Sequence, residues 1–187
     1  MDIKIFCPHW GMKEDEWKKK LQRIKEAGFD GVEMGTPKLK ADCKKVKSLL
    51  VEYGLSVIAQ QWTAGNTLRE HMESLEEQTQ RNVLLSPLFI NSQTGKDHFE
   101  FEDNLELLHF SNAMTKKYDV KIHHETHRGR FAFAAHITSK YLDALPDLTL
   151  TADFSHWCCV SESYLADQTV HLEKAINKAI HIHARVG

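Results

Sequence analysis

Proline and glycine are scarce, with 4 and 9 in a chain of 187 residues. That excludes collagen-like and low-complexity classes, and 42% hydrophobic residues exclude intrinsic disorder. No apolar run approaches the roughly 18 residues that a membrane span needs, so no membrane partner is expected. The segment Met1-Asp2-Ile3-Lys4-Ile5-Phe6 lacks the long apolar core of a signal peptide, which makes a cytoplasmic location the default expectation. An excess of charge is missing too. Against 26 Asp+Glu stand 24 Lys+Arg, a net charge of −2 with a pI near 6.6, which gives no reason to expect nucleic acid as a partner. The run Lys18-Lys19-Lys20 is flanked by Glu14, Asp15, Glu16 and Glu26 and reads as a solvated helix face. Four cysteines make no framework: Cys7 and Cys43 stand alone and Cys158-Cys159 are adjacent, so reduced, mostly buried thiols are expected. No GxSxG element, Gly-rich phosphate loop or HExxH sequence is present.

Histidine is what the chain has in excess. There are 12, and eight fall between His123 and His183.

Short apolar runs alternate with longer segments of helical period. Strands are expected at Ile3 to Phe6, Gly31 to Gly35, Leu55 to Trp62, Leu88 to Asn91, Val120 to Thr126, Leu148 to Asp153 and Ile180 to Arg185. The helices between them carry Trp17, Leu21 and Ile24; then Lys38 to Tyr53; then a face of Leu68, Met72, Leu75, Thr79 and Val83. Further helices are expected from Asp103 to Tyr118, from Ala135 to Leu145 and near Leu172 to Lys178.

Such β-α alternation implies parallel strands with right-handed crossovers, in either an open doubly wound sheet or a (β/α)8 barrel. Central strands of an open sheet should be apolar throughout. The later strands here alternate instead, with Lys121, His123, Glu125, Thr149, Thr151, Asp153, His181 and His183 sharing one parity. Polar groups on so many neighbouring strands need a shared, partly wet interior, which a barrel lumen provides. The expected fold is therefore an α/β (β/α)8 TIM barrel. A full barrel has eight strands and about 250 residues, so residues 1–187 read as a single domain lacking the eighth βα unit. An exposed barrel edge would favour a homo-oligomer.

In a barrel the working residues sit where strands end at the C-terminal rim. Those ends supply Cys7-Pro8-His9-Trp10, Glu33, Gln60-Gln61-Trp62, Asn91, His123 to Arg128, Asp153 to Trp157 and His181 to Arg185. Glu125, Asp153 and His183 fall on the inward parity of consecutive strands. Two carboxylates and one imidazole form a hard to borderline donor set that suits Mn2+, Mg2+ or Co2+ and admits Zn2+. Three protein ligands leave open positions for substrate or water. Taken singly, each has a plainer reading: an Asp at a strand end is commonly a turn residue, and a lone His a satisfied core or rim group.

The segments Gly31-Val32-Glu33, His124 to Arg130, Asp153 to Trp157 and His181 to Arg185 resemble the xylose isomerase-like TIM-barrel superfamily, which includes the sugar phosphate isomerases/epimerases. The resemblance implies one divalent metal held by Glu125, Asp153 and His183, with His156 assisting the metal or the substrate. It also suggests that Arg185 contacts substrate oxygens. The superfamily's fourth ligand, a Glu on strand eight that shares the acid/base work, has no counterpart in these residues.

The function expected is that of a metal-dependent isomerase or epimerase of a small-molecule sugar or sugar phosphate. Its chemistry is removal of a proton from carbon next to a carbonyl, through a metal-stabilised enediolate. Glu125 would serve as base or hold the metal. His127, Arg128, His156 and Arg185 would contact sugar hydroxyls or a carboxylate. His9, Trp10, Gln61 and Trp62 would line the pocket, with core packing the competing reading for both tryptophans. Glu33 is either a substrate ligand or half of a salt bridge. Two alternatives are an endonuclease-IV-like metal-dependent phosphodiesterase, opposed by the lack of a basic rim, and a catalytically inactive barrel fragment. Glu125→Gln and Asp153→Asn are each expected to abolish stoichiometric metal in the purified protein. Unchanged metal content in both variants would dismiss the site.

Overall fold

The computed structural model describes residues 3–12 and 16–184. Its strands are β1 (Phe6–Pro8), β2 (Gly31–Gly35), β3 (Ser56–Trp62), β4 (Ile90–Gln93), β5 (Ile122–Glu125), β6 (Leu150–Ala152) and β7 (Ala179–Ile182). They hydrogen-bond side by side in chain order, and β1–β2, β2–β3, β5–β6 and β6–β7 pair in parallel. Between them run α1 (Trp17–Glu26), α2 (Lys40–Glu52), α3 (Leu68–Asn82), α4 (Phe101–Tyr118) and α5 (Ala135–Ala144), with α6 (Ser155–Ser161) and α7 (Thr169–Ile176) both preceding β7. A doubly wound sheet reverses its order at a switch point, whereas a barrel never doubles back. The fold is α/β of the TIM-barrel type, carried through strand seven.

The chain forms two compact units. One comprises Met1–Gln61, Glu76–Ile90 and Met114–Lys121. Its core joins Leu21 and Ile24 of α1, Val32 and Met34 of β2, Val46, Leu49 and Leu50 of α2, and Val57 of β3. The apolar stripe of α1 is the one its helical period demands, and the chain turns away at Gly28, whose φ of +84° suits glycine. Gly31 is needed for closeness rather than for turning. A Cβ there would lie 2.3 Å from the Ser56 carbonyl oxygen and 2.5 Å from the Phe6 ring.

Two expectations for this unit are corrected. The first strand begins at Phe6, not Ile3, because its partner β2 begins at Gly31 and pairs it with Phe6; Ile3 and Ile5 stay exposed. Nor is the triple-lysine run wholly solvated. Lys20 is buried, its Nζ 3.4 Å from His9 Nε2 and 5.2 Å from the Trp17 ring centre, while the His9 ring stacks on Trp17. A long aliphatic stem lets a lysine run inward along apolar surface.

The other unit comprises Trp62–Leu75, Asn91–Ala113 and Ile122–Gly187. Its core gathers Leu108 of α4, Phe131 from the turn before α5, Tyr141 and Leu142 of α5, Leu150 of β6, Trp157 of α6 and Ala175 of α7. The Trp157 indole donates to the Ala132 carbonyl at 2.9 Å, so its polar end is satisfied in the interior. Helix α6, seven residues long, is absent from the sequence expectations, and α7 starts at Thr169 rather than Leu172. The apolar face of β7 is open among the described residues, with Ile180 and Ile182 at 60% and 66% exposure.

Along β5 every residue is buried. Lys121, expected inside with them, precedes the strand and is exposed. His123 Nδ1 lies 2.6 Å from Thr149 Oγ1. His124, on the face expected to be apolar, sits between Thr94 Oγ1 at 2.8 Å and Ser111 Oγ at 3.4 Å, edge-on to Phe131. Burial pushes its imidazole down to about 3, and the neighbouring His123 adds to the effect. The folded chain therefore keeps His124 neutral where the unfolded chain protonates it below about 6.5. Its contribution to stability is present above that pH and is lost on acidification towards 3, at about 1.4 kcal/mol per unit. In His124→Asn, the pH dependence of urea unfolding is expected to flatten between about pH 6.5 and 4.5. A slope equal to the parent's would show that this imidazole is not held neutral.

Candidate metal centre

Each donor of the expected triad stands at the end of its strand. Glu125 is the last residue of β5, and Asp153 and His183 each follow their strand by one position. The register aligns Glu125 with Thr151 and Thr151 with His181. Asp153 and His183 lie two residues further along, on the same side of the sheet. The Asp153 N–H donates to Thr126 Oγ1 at 2.8 Å, and the His183 N–H to the Ala152 carbonyl at 3.0 Å, which fixes both backbones.

The side chains converge. His183 Nδ1 lies 3.6 Å from Glu125 Oε1 and 3.7 Å from Asp153 Oδ2, and one ligand atom from each of the three falls within 4.8 Å of the others. Donors about 2.1 Å from a common ion, at angles of roughly 90–120°, are about 3.0–3.6 Å apart, so these separations fit a divalent cation with little adjustment. Burial sharpens the fit. Glu125 and Asp153 are 2% and 0% exposed, and two carboxylates in that setting need more positive charge than one imidazole carries.

Further groups orient the carboxylates. Asn91 Nδ2 and Gln93 Nε2, both on β4, donate to Glu125 Oε2 at 3.0 and 3.2 Å. Burial works against the Glu125 charge, but His183, Gln93 and His127 outweigh it and hold its carboxyl below the usual range. The Ser155 hydroxyl donates to Asp153 Oδ1 at 2.5 Å, and His156 Nε2 lies 3.7 Å from Asp153 Oδ2, both from the first turn of α6. The ring centres of His127 and His156 are 3.8 Å apart.

Arg128 is exposed, and Trp62, at the end of β3, is 47% exposed. Gln61 is buried with its Oε1 accepting from Asn82 Nδ2 at 3.0 Å and from Thr79 Oγ1 at 3.3 Å, so this oxygen is turned to α3. Glu33 is buried on β2, and His9 lies in the short turn after β1 against Trp17 and Lys20. Arg185 lies outside the described residues. The sequence reading passed over Gln93 and gave Ser155 no role beyond its place in the segment Asp153 to Trp157. Gln93 shares the parity of Asn91 two residues on, but strand four was expected to end at Asn91, whereas it runs from Ile90 to Gln93.

No family model matches the chain, and no curated protein matches it either. Solved structures do. The 3-keto-D-glucoside 4-epimerase of E. coli is 17% identical with a TM-score of 0.70, over 97% of this chain and 78% of that one. A sugar phosphate isomerase/epimerase from Parabacteroides distasonis is 14% identical at a TM-score of 0.69, over 96% and 74%. A xylose isomerase-like TIM barrel protein from Mycobacterium smegmatis, solved in complex with magnesium, is 11% identical at 0.70, over 97% and 74%. The fold is that of the xylose isomerase-like TIM barrels. At these identities the likeness is one of architecture, and the xylose isomerase-like fold leaves the chemistry to be argued from the site.

Gln93 gives that argument a handle apart from the ligands themselves. Removing an outer partner of a metal ligand typically weakens affinity about 10–100-fold. Gln93→Leu is expected to weaken Mn2+ binding by about that factor with little change in the thermal midpoint, measured by calorimetric titration. Affinity equal to the parent's would show that the β4 amides do not orient Glu125 for a cation.

Proposed function

We propose that this chain is a metal-dependent isomerase or epimerase of a sugar or sugar phosphate, with Glu125, Asp153 and His183 holding the divalent cation. The convergence of these three buried donors from β5, β6 and β7 carries the reading. The sugar epimerase and sugar phosphate isomerase/epimerase among the structural neighbours support the substrate class.

A sugar becomes its epimer or isomer by losing and regaining a proton at carbon next to a carbonyl. A divalent cation would polarise that carbonyl and an adjacent hydroxyl and so lower the cost of removing the proton. The chain's own groups do the rest. Glu125 keeps Oε2 on the two β4 amides, which turns Oε1 towards His183. His127 and His156, side by side next to the carboxylates, are placed to hold sugar hydroxyls. Arg128, exposed one residue further on, suits a carboxylate or phosphate at the open side.

The Mn2+-loaded chain, incubated in deuterium oxide with aldoses, ketoses and their phosphates, is expected to place deuterium on carbon adjacent to the carbonyl of at least one sugar, read by NMR. Glu125→Gln is expected to reduce that exchange by at least about 100-fold. No exchange with any member of the panel, from a chain shown to bind Mn2+, would overturn the reading.

A further inference from the structure

The β4–α4 and β5–α5 connections, the first turn of α4 and one face of α5 line a cavity of about 340 Å3. It lies wholly within the second unit, and none of the three triad donors lines it. Four of the chain's nine phenylalanines do, namely Phe99, Phe101, Phe131 and Phe133, together with Tyr141. The volume stands near the lower end of the roughly 300–1,000 Å3 of small-molecule sites, room for one ring with a short polar chain.

The lining is already an array of rings. Phe101 stacks on Tyr141 with centres 4.5 Å apart, and Phe131 meets Tyr141 edge-on at 5.0 Å. Phe131 and Tyr141 are buried, whereas Phe99 and Phe133 are half-buried and keep ring surface open to a ligand. His71 and His98 brace Phe99 edge-on, with centres 5.1 and 5.4 Å away. A further ring would make the same offset or edge-on contacts, which favours an aromatic occupant over an aliphatic one.

The polar groups select charge of both signs. Asn104 is occupied by the backbone: its Nδ2 donates to the Lys96 carbonyl at 2.8 Å, and its Oδ1 accepts from the Lys96 N–H at 3.3 Å. Asp97 Oδ1 lies 3.3 Å from His98 Nδ1. That leaves Glu102 and Lys140, both exposed and, among the described residues, without an ion-pair partner. Burial above all raises the Tyr141 hydroxyl; Asn104 opposes the rise and the Glu102 charge adds to it, which sets that carboxylate close to the rings. Ile137, Lys140 and Tyr141 stand at i, i+3 and i+4 on α5, so Lys140 rises from the same helix face. An ammonium held near ring faces gains a further attraction.

We propose that this cavity binds a small aromatic zwitterion, an α-amino acid bearing one ring. The ring lies among the phenylalanines, the ammonium meets Glu102 and the carboxylate meets Lys140.

The test is calorimetric titration of the whole chain without added metal, so that chelation by the amino acid contributes nothing. The probes are L-phenylalanine, phenethylamine, 3-phenylpropionate and L-alanine. One equivalent of L-phenylalanine is expected to bind, with phenethylamine and 3-phenylpropionate each at least about 5-fold weaker, the worth of one charge contact at an exposed rim. L-alanine, which lacks the ring, is expected not to bind. Glu102→Gln is expected to weaken L-phenylalanine and leave 3-phenylpropionate as it was, whereas Lys140→Gln weakens L-phenylalanine and leaves phenethylamine as it was. Phe133→Ala is expected to weaken all three ring-bearing probes. No binding of L-phenylalanine, or equal affinity for the three ring-bearing probes, would overturn the proposal. So would binding indifferent to Phe133→Ala, which would place the ligand elsewhere. Circular dichroism checks that each variant folds, and Ile137→Trp, which fills the cavity, gives the same readout if Phe133→Ala does not.

Discussion

Two carboxylates taken out of water beside one imidazole set the terms for everything around them. Glu125 and Asp153 are buried almost completely, and a buried charge is tolerated only when it is paired and hydrogen-bonded. The surroundings answer that demand group by group. Two amides from β4 take one oxygen of Glu125, and a serine hydroxyl from α6 takes one oxygen of Asp153. His183 stands before the oxygens that remain. One imidazole carries at most one positive charge, and a position flanked by two anions and a nitrogen is one where a divalent cation is stabilised.

The convergence follows from how parallel strands are ordered. β5, β6 and β7 are neighbours in the sheet and run the same way, so their last residues come together at one edge. Alternation of side chains then decides which of those residues share a face. That is why Glu125, Asp153 and His183 could be picked out from parity together with their places at the strand ends. It is also why the barrel could be distinguished from an open sheet, since the polar face of the later strands repeats with a period of two.

What parity could not supply was the partner of each polar group. His124 lies on a face where an apolar residue was expected, and it is accommodated because Thr94 and Ser111, distant in sequence, bring hydroxyls to its nitrogens. His71 is similar: it is fully buried between Thr63 Oγ1 and the Gly65 carbonyl. Strand boundaries were the other weakness. The apolar run Leu88 to Ile90 drew β4 two residues too early, although Leu88 is half exposed and the strand pairs through Gln93. That shift hid one of the two amides that orient Glu125. Helix α6 went unseen because seven residues hold too few apolar positions to show a period, yet its first turn carries Ser155 and His156.

The same hydrogen bonds bear on a choice that the sequence left open, whether Glu125 removes the proton or anchors the cation. A general base works best when its pKa lies near the working pH. Donors aimed at a carboxylate stabilise its charged form and make it a poorer base. Glu125 accepts from two amides at once, and His183 above all, then Gln93 and His127, hold its carboxyl below the ordinary range despite its burial. A base would be better served by a carboxylate left without such donors, since burial alone raises its affinity for protons. On the proposed function, His183 and the β4 amides favour Glu125 as an anchor with fixed orientation and leave proton transfer to a group less tightly held.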